Sequence, residues 1–557
     1  MFLRLLLLVA LGSSALANRS RAASAPEVTS ASLRALVQSS HHPDLRWPAF
    51  PDFRRELERL YQRAAWRPLW LNGTQPTRAA IELIARLAAA DSLGLDPADY
   101  DAPWLQRTAG DLGAVGPSTP QDEAARFDLA LSVAAVRFVS ALHRGRVSSR
   151  LANAELFIPR RSLAAEMVVD SLRDADQQGP LLERIQPQFH HYQLLKNGLA
   201  RYRGLARDTS LVPLPTLPSV VRPGMNLRAA SRLRHLLEAT QDLPRSELID
   251  AAKDTVYSSD LVAGVKSFQR RQGFEIDGTI GPQTRAQLNR PFDQRVRQIE
   301  LTLERWRWLP PSFTAPPIIV NIPAFQLYAF HDFTDREDSM LAMNVVVGSS
   351  YGHDTPVFAA DMTYLIFRPY WEVPLSIMKY ELGPTAMNDP EFMEKEGMVL
   401  VSGESEDAPT LPPTPENLER IGKDLRVRQL PGPANALGLI KFILPNAQKV
   451  FLHDSAAKGL FAYARRDFSH GCIRVSEPVA LARHVLRDQP EWTEERIRGA
   501  MDGADNLRVN LARPVPVYIV YATSVARDNG EVYFYSDLYR LDHLLDELLK
   551  QGYPYPE

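Results

Sequence analysis

Apolar residues in the first third of the chain recur with the spacing of an amphipathic helix. From Ile81 to Ala88 they stand at i, i+3, i+4 and i+7, and the pattern stops before Gly94 and Pro97. A second stretch, residues 127–142, is apolar on almost all sides, which is typical of a helix buried in a bundle. These patterns predict a helical scaffold domain over residues 32–210.

A second helical unit follows a proline-rich stretch. Leu211–Pro218 carries too many prolines for regular structure, so residues 211–222 are predicted to be a linker. Beyond it, apolar residues again recur at helical spacing over residues 223–291. They predict a compact unit of three short helices around these positions: Ala230, Leu233, Leu237, Leu261, Val265, Phe268 and Leu288.

From about Ile299 the apolar pattern changes to alternation, which predicts strands. Ile318, Val320 and Ile322 alternate with other residues and would share one face of a strand. Asp528-Asn529-Gly530 joins the last two apolar runs, which is a strong signal for a β-hairpin. The predicted strands are Asn344–Val347, Thr363–Phe367, Leu439–Leu444, Val517–Val525 and Val532–Tyr535. A mainly β domain is therefore predicted over residues 299–540.

One segment of this domain breaks the alternation. Residues 380–429 are acidic and contain several prolines, and their apolar residues follow no period. A connection of that length inside a compact domain is usually a lid over a site or disordered. The chain is thus predicted to be a multidomain α+β protein whose mainly β domain carries an inserted capping segment at about 380–429.

Composition and the N-terminus bear on partners and location. The 557 residues include 64 Lys and Arg against 66 Asp and Glu, without a long basic tract, which argues against a nucleic-acid partner. Residues 1–17 combine a basic start, a short apolar run and Ala15-Leu16-Ala17, the pattern of a secretory signal peptide. No stretch is long and apolar enough to span a bilayer. We expect an exported protein that is not an integral membrane protein.

The chain has one cysteine, Cys472, and it is the main candidate for chemistry. It lies in Phe468–Val475, which reads FSHGCIRV, and no second cysteine exists for an intrachain disulfide. The ordinary alternative is a buried thiol that packs as a small hydrophobic group. Against that alternative, Gly471 frees the backbone and Arg474 favours the thiolate. The pattern favours a nucleophile.

Two histidines compete for the role of general base. His470 stands two residues before Cys472, and positions i and i+2 of a strand face the same way. His453 lies upstream in the run FLHD. A zinc site built from both histidines, Cys472 and Asp454 would have enough ligand types, but the spacing matches no common zinc pattern. No metal is predicted.

Two segments resemble known families. The order V-x-x-F-Q-x-x-x-G-x-x-x-D-G-x-x-G-x-x-T from Val265 to Thr284 resembles the small peptidoglycan-binding domain of cell-wall enzymes. The final domain resembles the L,D-transpeptidase catalytic domain, or YkuD-type fold, through His453 and Ser469–Val475 at that family's usual separation. The runs PYWEVP, PGPANALG and FLHD, and the order of the domains, are similar to the large periplasmic YcbB-like members. Arg368 precedes Pro-Tyr-Trp where relatives often carry asparagine.

The resemblance implies an activity. Cys472 would attack a peptidoglycan stem peptide, release its terminal D-alanine through a thioester, and form 3→3 cross-links, with His453 as base. Arg474 would hold a substrate carboxylate or form a structural ion pair. The supporting residues would be His470, Gly471, Arg474 and Asp454, and the substrate-binding residues Tyr370, Trp371 and Phe451.

The resemblance also implies partners and a location. No cofactor is expected. The partners would be peptidoglycan stem peptides and glycan, with carbapenem β-lactams as covalent inhibitors, in the periplasm. The acceptor stays open between a stem peptide, a protein and a free D-amino acid. The alternative class is a wall-binding scaffold whose catalytic domain is degenerate.

Overall fold

The computed structural model describes residues 30–115, 121–152, 163–245, 255–310, 312–313, 315–333, 336–350, 352–389, 391–403, 405 and 408–553. The predicted signal peptide at 1–17 lies outside the described residues.

The N-terminal helices surround one long buried helix, α5. Its residues 127–142 are all buried, including the polar ones, as their apolar pattern predicts. None of the described helices has both the length and the apolar character needed to cross a membrane. The elements are α1 (Ser30–Ser39), α2 (Arg54–Arg63), β1 (Leu71–Asn72), β2 (Gln75–Pro76), α3 (Arg78–Ala88), α4 (Ala102–Val115), α5 (Gln121–Arg144), α6 (Ser149–Ala152), α7 (Ala165–Ser171), α8 (Gln178–Ile185) and α9 (His190–Arg207).

The next unit contains α10 (Ala230–Ala239), α11 (Ser259–Arg271) and α12 (Pro282–Leu288). All seven apolar positions predicted for it are buried. The Gln269 amide explains part of the sequence pattern, because it donates to the Asp277 carboxylate at 2.8 Å and accepts from the Gly278 N–H at 2.8 Å. Residues 211–218 have no regular structure, as predicted, although Leu214 and Leu217 are buried in the same core.

The predicted start of strand structure at about Ile299 is wrong. A helix, α13 (Phe292–Trp306), continues through this position, and the first strand begins at Ile318. Val296, Ile299, Leu303 and Trp306 recur at helical spacing and pack against α9 and the C-terminal hairpin. The helix therefore connects the scaffold to the β domain.

The β domain is built on a sheet that closes on itself. Its strands are β3 (Ile318–Asn321), β4 (Gln326–Phe330), β5 (Met340–Gly348), β6 (Phe358–Phe367), β11 (Ile440–Ile443), β12 (Leu452–His453), β13 (Asp467–Ser469), β14 (Ile473–Val475) and β15 (Leu507–Val520). The order is β13-β5-β14-β12-β11-β6-β15-β3-β4, and β4 also pairs with β5. Apolar side chains fill the interior. Helices α18 (Pro478–Val485) and α19 (Glu494–Asp502) follow β14.

The inserted segment is a folded subdomain, where the sequence predicted a lid or disorder. Its sheet has the order β7-β10-β8-β9, and it has an apolar core of its own that includes Met393, Leu400 and Val427. The elements are β7 (Trp371–Glu372), α14 (Leu375–Ile377), a π-helical turn (Met378–Leu382), α15 (Gly383–Asn388), α16 (Phe392–Lys395), β8 (Met398–Val401), β9 (Thr410–Leu411), α17 (Pro415–Leu418) and β10 (Arg426–Gln429). We call it the capping subdomain.

The C-terminal part returns to the scaffold. The predicted hairpin is confirmed as β16 (Ser524–Ala526) paired with β17 (Val532–Phe534). An unpredicted helix, α20 (Leu541–Lys550), follows it. Beyond α20, Gly552 packs against the Trp47 ring and Tyr553 is buried in the scaffold core, with the Arg137 guanidinium 4.7 Å from its ring centroid.

Candidate active site

The strand register brings the predicted catalytic residues to one face of the sheet. Strands β12 and β14 are parallel, with Leu452 beside Ile473 and His453 beside Arg474. Leu452 and Ile473 are fully buried in the interior. Because side chains alternate along a strand, His453 and Arg474 take the opposite face. Cys472 stands one residue before Ile473 and so belongs to that outer face.

The distance between Cys472 and His453 follows from the same register. The Ile473 N–H donates to the Phe451 carbonyl at 3.1 Å, so Cys472 lies beside Phe451 and His453 stands two residues further along. A strand spacing of about 4.8 Å and a rise of about 3.3 Å per residue put the Cα atoms of Cys472 and His453 about 8 Å apart. An imidazole and a thiol span that separation.

The environment of His453 fixes both its tautomer and its charge. Its Nδ1 lies 2.5 Å from the Asp454 carbonyl, and because a carbonyl only accepts, Nδ1 carries the proton. Burial, with a smaller contribution from the Arg474 cation, lowers the pKa of His453 to about 3. At neutral pH the ring is therefore uncharged and Nε2 carries a lone pair.

The Cys472 thiol is mostly shielded from solvent. Burial raises its pKa above the usual range, while the Phe451 N–H, Lys441 and Arg474 act in the opposite direction. The thiol form is therefore favoured in the free protein, and any thiolate depends on these three groups.

The turn before Cys472 is held by hydroxyl groups. Gly471 has φ +110°, a conformation that glycine adopts readily and other residues rarely do. The Thr355 hydroxyl donates to the Gly471 carbonyl at 2.8 Å, and the Ser469 hydroxyl donates to the Cys472 carbonyl at 2.6 Å. Both carbonyls are thus fixed, which orients the peptide groups on either side of the nucleophile.

Asp454 supports the site from behind His453. Its buried carboxylate accepts the N–H of Leu439 at 3.0 Å and that of Ser455 at 2.7 Å, and it is paired with Lys458. Gly438, with φ +62°, packs directly on this carboxylate, where a Cβ would lie 2.6 Å from the Asp454 Cβ. The predicted supporting position is thus tied to the residues that precede β11.

His470 points away from the strand pair and towards the capping subdomain. It lies in the turn, where the sequence allowed a strand position facing the same way as Cys472. Its Nε2 lies 2.6 Å from an oxygen of Glu381, and its ring centroid is 4.6 Å from that of His353. The residue therefore links the loop of the nucleophile to the capping subdomain.

Arg474 makes no ion pair with the described residues. Its Nε is buried and has no hydrogen-bond partner among them. Burial lowers the pKa of its guanidinium, and Cys472 acts against that. The structural ion pair that the sequence left open is therefore absent from the described part of the chain.

The three predicted substrate-binding aromatics fall into two places. Phe451 lies at the thiol, with its ring centroid 5.6 Å from that of His453. Trp371 packs against the core of the capping subdomain, and the Arg428 guanidinium lies 5.2 Å from the ring centroid of Tyr370. The last two thus stand at the base of the capping subdomain.

Lys441 belongs to the site, although the sequence analysis missed it. It pairs with His453 across β11 and β12, and its Nζ lies 3.9 Å from the Phe451 ring centroid. The signal was available, because Lys441 is the one charged residue in the apolar run Leu439–Leu444.

No group of three or more His, Cys, Asp or Glu in the described ranges could hold a metal ion.

Comparison with family models divides the chain into three matched segments. Residues 55–199 match a model described as "Scaffold domain", and residues 235–288 match one described as "Putative peptidoglycan binding domain". Residues 316–517 match the model of the L,D-transpeptidase catalytic domain, and they contain Cys472, His453, Arg474 and Lys441. The chain contains an L,D-transpeptidase catalytic domain. The L,D-transpeptidase domain thus includes both the closed sheet and the capping subdomain.

A curated relative is similar to part of the chain. It is a Haemophilus influenzae protein named "Putative L,D-transpeptidase", 27% identical over 253 residues. The match covers 45% of this chain and 49% of the relative, so the chain spans about half the length of the relative. The predicted multidomain α+β fold, with a helical scaffold, a peptidoglycan-binding domain and a mainly β L,D-transpeptidase domain, is confirmed.

Proposed function

We propose that the protein is a peptidoglycan L,D-transpeptidase that forms 3→3 cross-links through a thioester on Cys472, in the periplasm. The observation that carries the proposal is the register that gathers Cys472, His453 and Arg474 on one face of an L,D-transpeptidase domain. The peptidoglycan-binding match supports peptidoglycan as substrate and a location at the cell wall.

Acylation begins with the thiol of Cys472. The sulfur attacks the carbonyl carbon of the third stem-peptide residue, a C–S bond forms, and the C–N bond to the terminal D-alanine breaks. The neutral His453 ring accepts the thiol proton on Nε2 and passes it to the leaving amine. The balance is one thioester and one free D-alanine.

The second step returns the enzyme to its starting state. An amine of the acceptor attacks the thioester carbonyl while His453 removes its proton, and the thiol is released with that proton. When water replaces the amine, the product is a hydrolysed stem peptide. A second stem peptide as acceptor gives the 3→3 cross-link, while a protein or a free D-amino acid would follow the same chemistry.

Arg474 is proposed to bind the carboxylate of the donor stem peptide. A guanidinium without an ion-pair partner in the described part of the chain, on the same face as the nucleophile, suits a carboxylate. The Cys472 N–H, with a neighbouring N–H of the fixed turn, is proposed to stabilise the oxyanion of the tetrahedral intermediate. Tyr370, Trp371 and Phe451 are proposed to line the donor site.

The capping subdomain is proposed to cover the donor stem peptide and limit access of water. The contact between Glu381 and His470, two residues from the nucleophile, supports this role. Residues 223–291 are proposed to anchor the enzyme to the wall. The alternative of a degenerate wall-binding scaffold lacks support, because both the thiol and its base are present with a suitable tautomer.

The deciding experiment uses the intact protein. Incubation with a carbapenem is expected to add the mass of one inhibitor molecule, and Cys472→Ser should abolish the addition. Incubation with a tetrapeptide substrate should then release D-alanine and yield cross-linked dimers. An unmodified wild-type protein, or an adduct that persists in Cys472→Ser, would overturn the proposal.

A further inference from the structure

Lys441 shares the outer face of the sheet with the catalytic pair. Strands β11 and β12 are antiparallel, with Lys441 directly opposite His453. The neighbours of Lys441 in sequence, Ile440 and Phe442, are fully buried in the interior. Alternation along the strand therefore puts Lys441 on the face that carries His453 and Cys472.

The Lys441 side chain leans along the sheet towards the nucleophile. Its register partner is His453, yet its ammonium lies over the ring of Phe451, 3.9 Å from the centroid. Phe451 is the residue beside Cys472, and its backbone N–H acts to lower the pKa of the thiol. The ammonium thus lies over a residue two positions before His453, on the side where Cys472 lies.

Before proton transfer, the neutral His453 ring supplies no positive charge that would favour the thiolate. In cysteine enzymes with an imidazolium beside the sulfur, that positive charge stabilises the thiolate. Here burial keeps the His453 ring neutral, since its pKa is about 3. Lys441 and Arg474 are the cations that favour the thiolate, and Lys441 has the larger effect.

The charges around these groups come from several elements. Glu372 of β7 faces Lys441 from the capping subdomain, and it is also paired with Arg428. Burial lowers the pKa of Lys441, while Cys472 and Glu372 act against that. On the side of the turn stand His470, His353 and Glu381. Lys441 is thus within electrostatic reach of Glu372, which Arg426 also shares, and of the sulfur.

We propose that the Lys441 ammonium is the counter-ion of the Cys472 thiolate. When the S–H bond breaks and the proton passes to His453 or to solvent, the negative charge on sulfur is stabilised by Lys441 through space, without a covalent change at the lysine. Arg474 is then left for the substrate carboxylate, and His453 is a neutral base until it accepts the thiol proton. This inference rests on the proposed function only in taking Cys472 as the nucleophile.

The test is a titration of the thiolate by its ultraviolet absorbance. It needs no substrate, and subtracting the titration of Cys472→Ser, which lacks the chain's one cysteine, leaves the absorbance of the Cys472 thiolate. Lys441→Met should raise the apparent thiol pKa by about one unit and slow alkylation by iodoacetamide at neutral pH about tenfold. Lys441→Arg should restore most of both. Lys449→Met, an exposed lysine of the same segment, is the matched control and should titrate like the wild type.

A second variant gives the opposite sign. Glu372→Gln should lower the thiol pKa in the wild type, because the Lys441 charge is no longer shared with a carboxylate, and should have little effect in the Lys441→Met background. Circular dichroism checks the fold of each variant. A Lys441→Met protein that titrates like the wild type would overturn the proposal. So would a shift of the thiol pKa that occurs in Arg474→Met and not in Lys441→Met. Failure of the wild type to release D-alanine would instead count against the proposed function.

Discussion

The two histidines near Cys472 lie in very different surroundings. His453 is buried on β12, with its Nδ1 held by the Asp454 carbonyl and a neutral ring. His470 is exposed in the turn before the nucleophile and pairs with Glu381 of the capping subdomain. A buried ring held in one tautomer suits proton transfer, whereas an exposed ring paired with another subdomain suits control of access. The same residue type is thus proposed to have a different task at each of the two positions.

The largest expected effect is the loss of His453, the proposed base. His453→Ala should slow acylation of Cys472 by about 10²–10⁴-fold, because proton transfer by a positioned side chain contributes about that much. His470→Ala should slow acylation by less than about tenfold. Stopped-flow measurement of carbapenem acylation compares them directly. A larger loss in His470→Ala would reverse the assignment of the base.

The next effect concerns the support behind His453. Gly438→Ala should lower the free energy of unfolding by about 1–3 kcal/mol, because φ is +62° and the new Cβ would meet the Asp454 carboxylate. Acylation should slow as well, since Asp454 carries the carbonyl that orients the base. Urea denaturation measures the first change.

The matched control for that change lies six positions upstream in the same segment. Gly432 has open space around its Cα, so Gly432→Ala should stay within about 0.5 kcal/mol of the wild type. Equal stability of the two variants would show that Gly438 does not constrain Asp454.

A smaller effect is expected from removing the capping subdomain. Trp371 and Gln429 are paired across β7 and β10, so a Gly-Gly turn can join them in place of residues 372–428. Acylation by a small carbapenem should persist, and the ratio of cross-linked to hydrolysed tetrapeptide product should fall severalfold. An unchanged ratio in a folded variant would contradict the role as a lid.

The smallest effect is expected from the contact that joins the two regions. Glu381→Gln and His470→Ala should each change the product ratio, and the double variant should differ little from either single one. A partly exposed pair of this kind contributes about 0.2–1 kcal/mol, which corresponds to a change of about fivefold at most. Glu391→Gln, on the same subdomain but paired with Lys395, is the control. Additive effects would mean that the two residues act separately.

Motifs in the sequence mark the proposed centre of the site more clearly than its surroundings. Cys472, His453 and the turn glycine were visible because their residue types and spacing are unusual together. Lys441 was missed because a single lysine in a strand has no local signal, and its closeness to the sulfur depends on the pairing of β11, β12 and β14. Local periodicity does not tell which distant strands pair with one another.

The fold was predicted well where one period dominated. The buried helix α5 and the hairpin β16–β17 followed directly from their patterns. The helix α13 was mistaken for the start of strand structure because its two faces bury residues against different neighbours, which hides the helical period. The capping subdomain was underestimated since its strands are short and its core uses residues far apart in sequence, such as Met378 and Val427.

The burial of Tyr553 in the scaffold core has a consequence for the order in which the protein matures. The ring packs near Phe53 and beneath Arg137 and Arg146, residues that the ribosome makes hundreds of positions earlier. The scaffold is synthesised before the β domain, but its core stays incomplete until Tyr553 has been made. A chain that stops short of Tyr553 should therefore leave the scaffold, rather than the β domain that precedes Tyr553, exposed to proteolysis.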